Sequence, residues 1–439
     1  MFGIGNLVNI LRALGKGHFK RGWACDDEDK ESVLSHLTRV CFPAEGEVPA
    51  DFAKQVKAAQ ISEERLVELA LYAPQWVAHV EEALGWKSFT EAVWWIHAHT
   101  KGADWSVEEE IREAWKADLS RRTALASEEL LEGAVDVGWF HRVYSDLGDK
   151  RWAMLDDAAK YASTGTGHAR ARLFADAMLN RVKKKELLRR AMTKRYQDAV
   201  RELGLLPLAG GKSREADLLD RYKAMQEFIR TSRQFGSQRQ ASEKRAAQIG
   251  QENLARTAGY PDPIRLQWAM EARAVGDLAD GPISVSAEGV SVSLGIDPWG
   301  EIEFAVTKDG KTLADIPAKL KKDKRVAARR ERKTELKRQA SRIRIALEQF
   351  MCRGESVTGE ELQELMKHPL LAPMLGGLVL VGDGVLGYPI HGGQVLEDFA
   401  GNKEALRKDE NVRIAHPIDL LPAKTWQAWQ RDCFAKERI

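Results

Sequence analysis

The sequence predicts a mainly α architecture: a multi-helical, HEAT-like array with a small antiparallel β-meander insertion and a mixed α/β carboxy-terminal part. Three observations predict it. Apolar residues recur at helical spacing, between short loops, through residues 1–281. From Pro282 to Ile316 the apolar period drops to two. The stretch after Pro317 is helical and strongly basic. The chain thus parses into a helical array (1–205), a central helical region (206–281), the meander (282–316), a long basic helix (317–352) and the mixed part (353–439).

Composition narrows the class of protein. A chain of 439 residues has enough material for several domains with their own cores. The formal net charge is +2, so charge is local and the whole chain is no polycation. Cys25, Cys41, Cys352 and Cys433 are scattered and form no CxxC pair, which speaks against a disulfide framework or a cysteine zinc site and fits a reducing compartment. No apolar run approaches the length of a membrane span. The opening MFGIGNLVNILRALG is short, is interrupted by Arg12 and lacks a basic start, so it reads as a helix and not as a signal peptide. A cytoplasmic location is expected.

The array starts with short helices. Ser62, with Glu64 and Arg65 behind it, opens a helix through Leu66, Leu69, Ala70 and Leu71 that stops at Pro74. Val93, Trp94, Trp95 and Ile96 are too continuous for a surface helix and are expected to be buried. Ser106 with Glu108 and Glu109 caps a further helix, and Ser127 with Glu128 and Glu129 starts another. Phe140, Val143 and Leu147 mark the next, then Leu173, Phe174, Ala177 and Met178 after a loop at Thr164 to Gly167. Val182 to Leu203 reads as one basic helix. No clean sequence period accompanies these helices.

The central region is a long helix, a stop and a second helix. Leu218, Tyr222, Met225 and Ile229 step by four, three and four along one face. After Gly236 the apolar residues become small, Ala241, Ala246 and Ala247, as close helix packing requires, which suggests a separate helix. Gly259 and Pro261 stop it; Asp262 and Pro263 restart the chain as N-cap and first helical residue. In the meander, Ile283 and Val285, then Val290, Val292 and Leu294, then Ile302, Phe304 and Val306 alternate with other residues, with turns at Gly289, Asp297 to Gly300 and Asp309-Gly310. Too small for its own core, it is expected to pack on the helices before it.

The basic helix carries 13 Lys/Arg between Lys319 and Arg344 against Asp323, Glu331 and Glu335, a local charge of +10. Leu336, Ala340, Ile343, Leu347 and Phe350 form a four-three-four-three seam in its second half. The first half lacks such a stripe, so the basic end is expected to project from an anchored carboxy-terminal end. In the last part Thr358 caps a helix through Leu362 and Leu365, and Leu378 to Val381 and Val385-Leu386 form a hairpin around Gly382 to Gly384. Val412 to Ala415 is a further strand, and Thr425 starts a helix with Trp426, Trp429 and Phe434.

Few motifs carry chemistry. Leu208 to Ser213 (LAGGKS) ends like a phosphate-binding loop, but the glycine needed five residues before Gly211 is Leu206 and no strand precedes it; a helix start after a loop is the better reading. GTGH at Gly165 to His168 does not complete GxGxxG and reads as a flexible interhelix loop. His97 and His99 lie about 200° apart on a helix, so they do not share a metal; one buried hydrogen-bonded histidine and one peripheral histidine are expected. No GxSxG, HExxH or spaced-aspartate loop is present, and no catalytic, metal or cofactor residue is assigned. The candidate polyanion-binding residues are Lys321, Lys322, Lys324, Arg325, Arg329, Arg330, Arg332 and Lys333. Dense cations attract phosphates without reading sequence. The bland alternative is a solvated helix, or one docked on an acidic surface of its own fold.

Several uncommon stretches occur together: GLLPL at Gly204, RYKAMQEFIRTSRQFGSQRQASEKRA, ENLARTAGYPDPIRLQWAMEA, DGKTLADIPAKLKKDKRV, ALEQFM, and RIAHPIDLLP followed by Trp426. In this order they resemble the bacterial domain-of-unknown-function family 4132 over residues 185–439. YAPQWVAHVEEALGW and AVWWIHAHT resemble the helical companion region that precedes that domain in longer relatives. The family includes a protein named as a molybdate metabolism regulator, which implies regulation and not molybdate binding. Relatives continue past the AHP segment with a further helical portion, so the carboxy-terminal part here is expected to be truncated relative to the family. The resemblance implies no catalytic residue. The favoured reading is a non-catalytic regulatory or scaffold module with an unidentified protein partner and no membrane. The alternatives are nucleic-acid binding through the basic helix and an enzyme whose site the sequence does not display.

Overall fold

The spacing of apolar residues builds a mainly helical protein, with 20 α-helices and two antiparallel sheets among the described residues. The structure, a computed structural model, describes residues 1–21, 29–101, 109–163, 165–421 and 424–437. Cys25, Thr164 and the Ser106–Glu108 cap lie outside them. The chain forms two compact units, Met1–Pro263 and Ile264–Ile439.

Among the described residues the first unit is built of helices, with a single isolated β-bridge between Phe2 and Phe42. α1 (Ile4–Leu14) buries Ile4, Leu7, Leu11 and Leu14, so the apolar opening segment is a core helix. α2 (Lys30–Arg39), α3 (Pro49–Ala58), α4 (Glu63–Tyr72) and α5 (Val77–Leu84) follow. The Ser62 hydroxyl accepts from the Arg65 N–H at 3.3 Å, and Pro74 opens a 3-10 turn after α4. α6 (Phe89–His99) is buried on every side, as its unbroken apolar run demands. α7 (Glu109–Ser120), α8 (Ser127–Glu132), α9 (Val137–Ala158, bent at Gly148) and α10 (His168–Met178) complete the first half.

The basic run read as one helix is two, α11 (Lys184–Lys194) and α12 (Gln197–Leu203). Arg195 breaks it in the left-handed region at φ 54°. α13 (Arg214–Thr231) and α14 (Ser237–Ala258) are separate helices. On α13 Leu218, Tyr222 and Met225 are buried, but Phe228 closes the face while Ile229 is only half-buried. A Cβ on Gly204 would collide with the Gly250 carbonyl, so α14 crosses the end of α12 at backbone contact.

The second unit starts with α15 (Pro263–Ala274) and the sheet β1 (Ile283–Ala287), β2 (Val290–Ile296), β3 (Ile302–Lys308) and β4 (Lys311–Leu313). The strands run in sequence order with Val285 opposite Val292 and Val292 opposite Val306. Among the described residues β1 has a strand on one side only. A 3-10 turn at Ala318–Lys322 leads into α16 (Lys324–Arg353). Then come β5 (Ser356–Thr358), α17 (Gly359–Leu365) and α18 (Leu371–Gly376). Thr358 and Glu361 cap α17 reciprocally, at 3.2 and 2.9 Å. β6 (Leu380–Gly382), β7 (Val385–Ile390), β8 (Val395–Glu397), β9 (Lys403–Ala405) and β10 (Asn411–Ile414) join β5 in the order β5-β10-β6-β7-β8-β9. α19 (Pro417–Leu420) and α20 (Trp426–Ala435) close the described chain.

The α16 seam is the axis of this unit's core. Leu336, Ile343 and Phe350 are buried with Trp268 of α15, Leu294 of β2, Leu362 of α17, Leu380 of β6 and Val412 of β10. A fully buried leucine or isoleucine is worth about 1.5–3 kcal/mol, so the seam alone supplies a large fraction of the stability. A second cluster joins Val292 of β2 and Val306 of β3 to Ile316, Leu320 and Val326. The meander therefore packs on the helix after it as well as on α15 before it.

Candidate nucleic-acid interface

α16 has 30 residues, about 45 Å at 1.5 Å per residue. Asp323 caps it, accepting from the N–H groups of Arg325 at 2.8 Å and Val326 at 3.3 Å. The helix begins later than the sequence suggested: Lys321 and Lys322 sit on the preceding 3-10 turn. Its basic end does not project freely either. Val326 is fully buried and Leu320 nearly so, because the meander uses their side chains to cover its own valines.

The thirteen cations divide by partner. Six meet carboxylates of this unit: Lys321 with Asp315 at 2.7 Å, Arg325 with Asp323 at 3.3 Å, Arg332 with Asp277 at 2.9 Å, Arg338 with Glu335 at 3.7 Å, Arg342 with Glu271 at 2.7 Å, and Arg344 with Glu301. Arg332 also donates to the Ala274 carbonyl. The Lys321 ammonium and the Ile316 N–H hold the Asp315 carboxyl below its ordinary range. The other seven, Lys319, Lys322, Lys324, Arg329, Arg330, Lys333 and Lys337, have no carboxylate in ion-pair reach among the described residues. Six of these seven lie between Lys319 and Lys333: Lys319 and Lys322 on the 3-10 turn, and Lys324, Arg329, Arg330 and Lys333 on α16, where Lys324 in the first turn opposes the positive end of the helix dipole. Of the eight sequence candidates, Lys321, Arg325 and Arg332 are thus already ion-paired, and Lys322, Lys324, Arg329, Arg330 and Lys333 are not, although the Arg330 charge also acts on Asp315.

The structure adds a cleft that the sequence did not reveal. Its volume is about 470 Å³, between β3, β4 and the chain after β4 on one side and α16 on the other. Arg330 and Lys333 stand on the helix wall, and the Lys333 ammonium lies 4.4 Å from the centre of the Phe304 ring. Asp315 and Glu331 also line it, so both signs of charge are present.

The other sequence motifs take structural places. Both His97 and His99 are buried, at 2% and 0% exposure, against the expectation that one would be peripheral. Trp94 and Trp95 sit beside them because α6 is covered all round, and burial pushes both imidazoles down to about 4. The His99 Nδ1 pairs with the Trp95 carbonyl at 2.7 Å. The LAGGKS stretch is a 3-10 turn leading into α13. Gly167 of GTGH is packed hard on the Lys101 backbone, whose N–H donates to the Gly167 carbonyl at 3.1 Å. No three-residue His, Cys, Asp or Glu cluster of metal-binding geometry occurs among the described residues. No helix there is long and apolar enough to cross a membrane.

Buried polar networks in the first unit also escaped the sequence. Glu243, fully buried, takes Arg195 and Arg239, and Arg195 lies 3.7 Å over the Phe228 ring. Arg170 donates to the carbonyls of His99, Leu130 and Leu131. Glu202 is fully buried, neither of its oxygens has a hydrogen bond among the described residues, and burial pushes its pKa up to about 8. Its nearest cation, Arg190, stays 3.8 Å away.

Residues 1–270 match the family of unknown function DUF5724, and residues 310–439 match the domain of unknown function DUF4132. The chain belongs to the DUF5724 family, and its carboxy-terminal part carries the DUF4132 domain. The boundary differs from the one the motifs suggested: residues 185–270, read with the second family, fall within the first match, and the second match begins at 310. No curated protein and no solved structure matches the chain.

Proposed function

We propose that this protein is a non-catalytic regulatory or scaffold module that works by macromolecular contact, and that the first half of α16 is the contact surface for a phosphate-bearing partner, nucleic acid foremost. The observation that supports this reading is the division of the cations. Towards its carboxy-terminal end the helix spends its charges on Glu271, Glu301 and Glu335, whereas six cations from Lys319 to Lys333, on the 3-10 turn and the first turns of α16, have no ion pair among the described residues. Such a cluster costs stability within the fold and is offset when phosphates approach. The regulatory part of the reading follows the resemblance to a family with a named regulator. Stacking of successive bases along the helix has no support, since its exposed face carries no aromatic side chain.

The test is fluorescence anisotropy with duplex DNA and with RNA across a salt series. The variant is Lys319→Gln, Lys322→Gln and Lys324→Gln together, all exposed and unpaired. The parent is expected to bind with a steep salt slope. The variant should lose about 0.9 of slope per phosphate contact removed on duplex DNA, up to about 3 in all. Absence of binding at low salt, or an unchanged slope in the variant, overturns the reading.

A further inference from the structure

We propose that the cleft between the meander and α16 binds one ribonucleotide unit, free or within RNA. The inference rests on the reading of α16 as a phosphate-binding helix and deepens it. A volume of about 470 Å³ lies within the range of small-ligand sites. A site for phosphate alone has no use for Asp315 and Glu331, which repel it. A nucleotide uses both signs. Arg330, exposed and without a side-chain hydrogen bond or ion pair among the described residues, though its charge helps hold the Asp315 carboxyl down, presents a planar fork suited to phosphate oxygens. Lys333 is parked over the Phe304 ring and needs only a small swing to add a second donor. Phe304 and Leu313 give an apolar wall for a base.

The carboxylates then have a task as acceptors for ribose hydroxyls. Asp315 is already fixed: the Ile316 N–H donates to one oxygen at 2.8 Å and the Lys321 ammonium to the other at 2.7 Å. Each carboxylate oxygen keeps a free lone pair, so a vicinal pair of hydroxyls can donate to it without displacing either bond. A deoxyribose lacks one of those donors, and the cleft should prefer the ribose form. A preset acceptor also lowers the ordering cost of binding.

Isothermal titration calorimetry on the full chain tests this with adenosine 5′-monophosphate, its 2′-deoxy analogue and inorganic phosphate. The ribonucleotide is expected to bind, the deoxy analogue about fivefold more weakly, and phosphate more weakly still. Arg330→Gln should weaken the ribonucleotide about tenfold with little change in melting temperature, since the Arg330 side chain is exposed and holds no hydrogen bond or ion pair among the described residues. Asp315→Asn should erase the preference for ribose. The Lys319, Lys322 and Lys324 triple variant should leave mononucleotide affinity within about twofold. No ribonucleotide binding at millimolar concentration, phosphate binding as well as the nucleotide, or an unaffected Arg330→Gln protein overturns the cleft proposal. If RNA still binds in the salt series without a mononucleotide site, the cleft proposal falls and the helix reading stands. If a mononucleotide binds but neither RNA nor DNA does, the helix reading falls and the cleft stands as a site for a free nucleotide.

Discussion

Arg170 is the side chain whose loss should hurt the first unit most. It is 4% exposed and donates to three carbonyls, at 3.2 Å to His99, 2.6 Å to Leu131 and 3.0 Å to Leu130. The His99 and Leu131 carbonyls are acceptors at the ends of α6 and α8, while the Leu130 carbonyl also accepts from the Gly133 N–H at 3.0 Å. Arg170→Ala should cost about 3 kcal/mol, read from the denaturant midpoint, because the His99 and Leu131 carbonyls lose the Arg170 donors and the Leu130 carbonyl keeps only the Gly133 N–H. Arg170→Lys should rescue little, since an ammonium cannot span three carbonyls as a fork does. Titration supplies a second expectation. Glu202 binds its proton more tightly folded than unfolded, so its contribution is intact below about pH 4.5 and is lost as pH rises towards about 8. His97, His99 and His368 have the opposite sign: burial holds each near 4, so stability falls as pH drops below about 6.5. Glu202→Gln should therefore raise the melting temperature at pH 8 to 9 and change it little near pH 4.5. Neither role was legible in the sequence, because the partners of Arg170 lie 39 to 71 positions away and nothing local marks a glutamate as buried.

The long helix shows where the sequence speaks and where it stops. Its seam was readable because Leu336, Ala340, Ile343, Leu347 and Phe350 repeat at helical spacing, and all five are buried. Ile343→Ala should cost about 2–5 kcal/mol, whereas Ile345→Ser, at a position 53% exposed, should stay within about 0.5 kcal/mol; urea titration separates the two. The meander was readable for the same reason, with a period of two. The fate of the basic half was not, because pairing is decided across distance: Arg332 finds Asp277 and Arg342 finds Glu271, 55 and 71 positions away. Nor does a sparse stripe mean an uncovered helix. Val326 alone, with Leu320 before it, is enough to seat the meander valines. β5, β8 and β9 went unseen because three residues are too few to display alternation; β6, equally short, was legible through the apolar run Leu378 to Val381 and the Gly382 to Gly384 turn beside it.

Over the full chain, +2 net hides +10 on a single segment, so bulk charge says little about partners. Each compact unit has its own buried tryptophans, among them Trp76, Trp95, Trp139 and Trp152 in the first and Trp268 and Trp429 in the second. Unfolding in denaturant is expected in two steps, with tryptophan fluorescence and far-UV circular dichroism failing to coincide; one shared transition would count against this. The outer edge of β1 has a further consequence. Ile283-Ser284-Val285-Ser286-Ala287 is uncharged, and its apolar and hydroxyl positions mirror one another about Val285. Two copies can therefore line up head to tail with like beside like, each offering the other its spare backbone donors and acceptors. Concentrated solutions should scatter light increasingly with time, and Ser284→Lys should abolish the drift, as a lysine at that edge makes each molecule a poor template for the next.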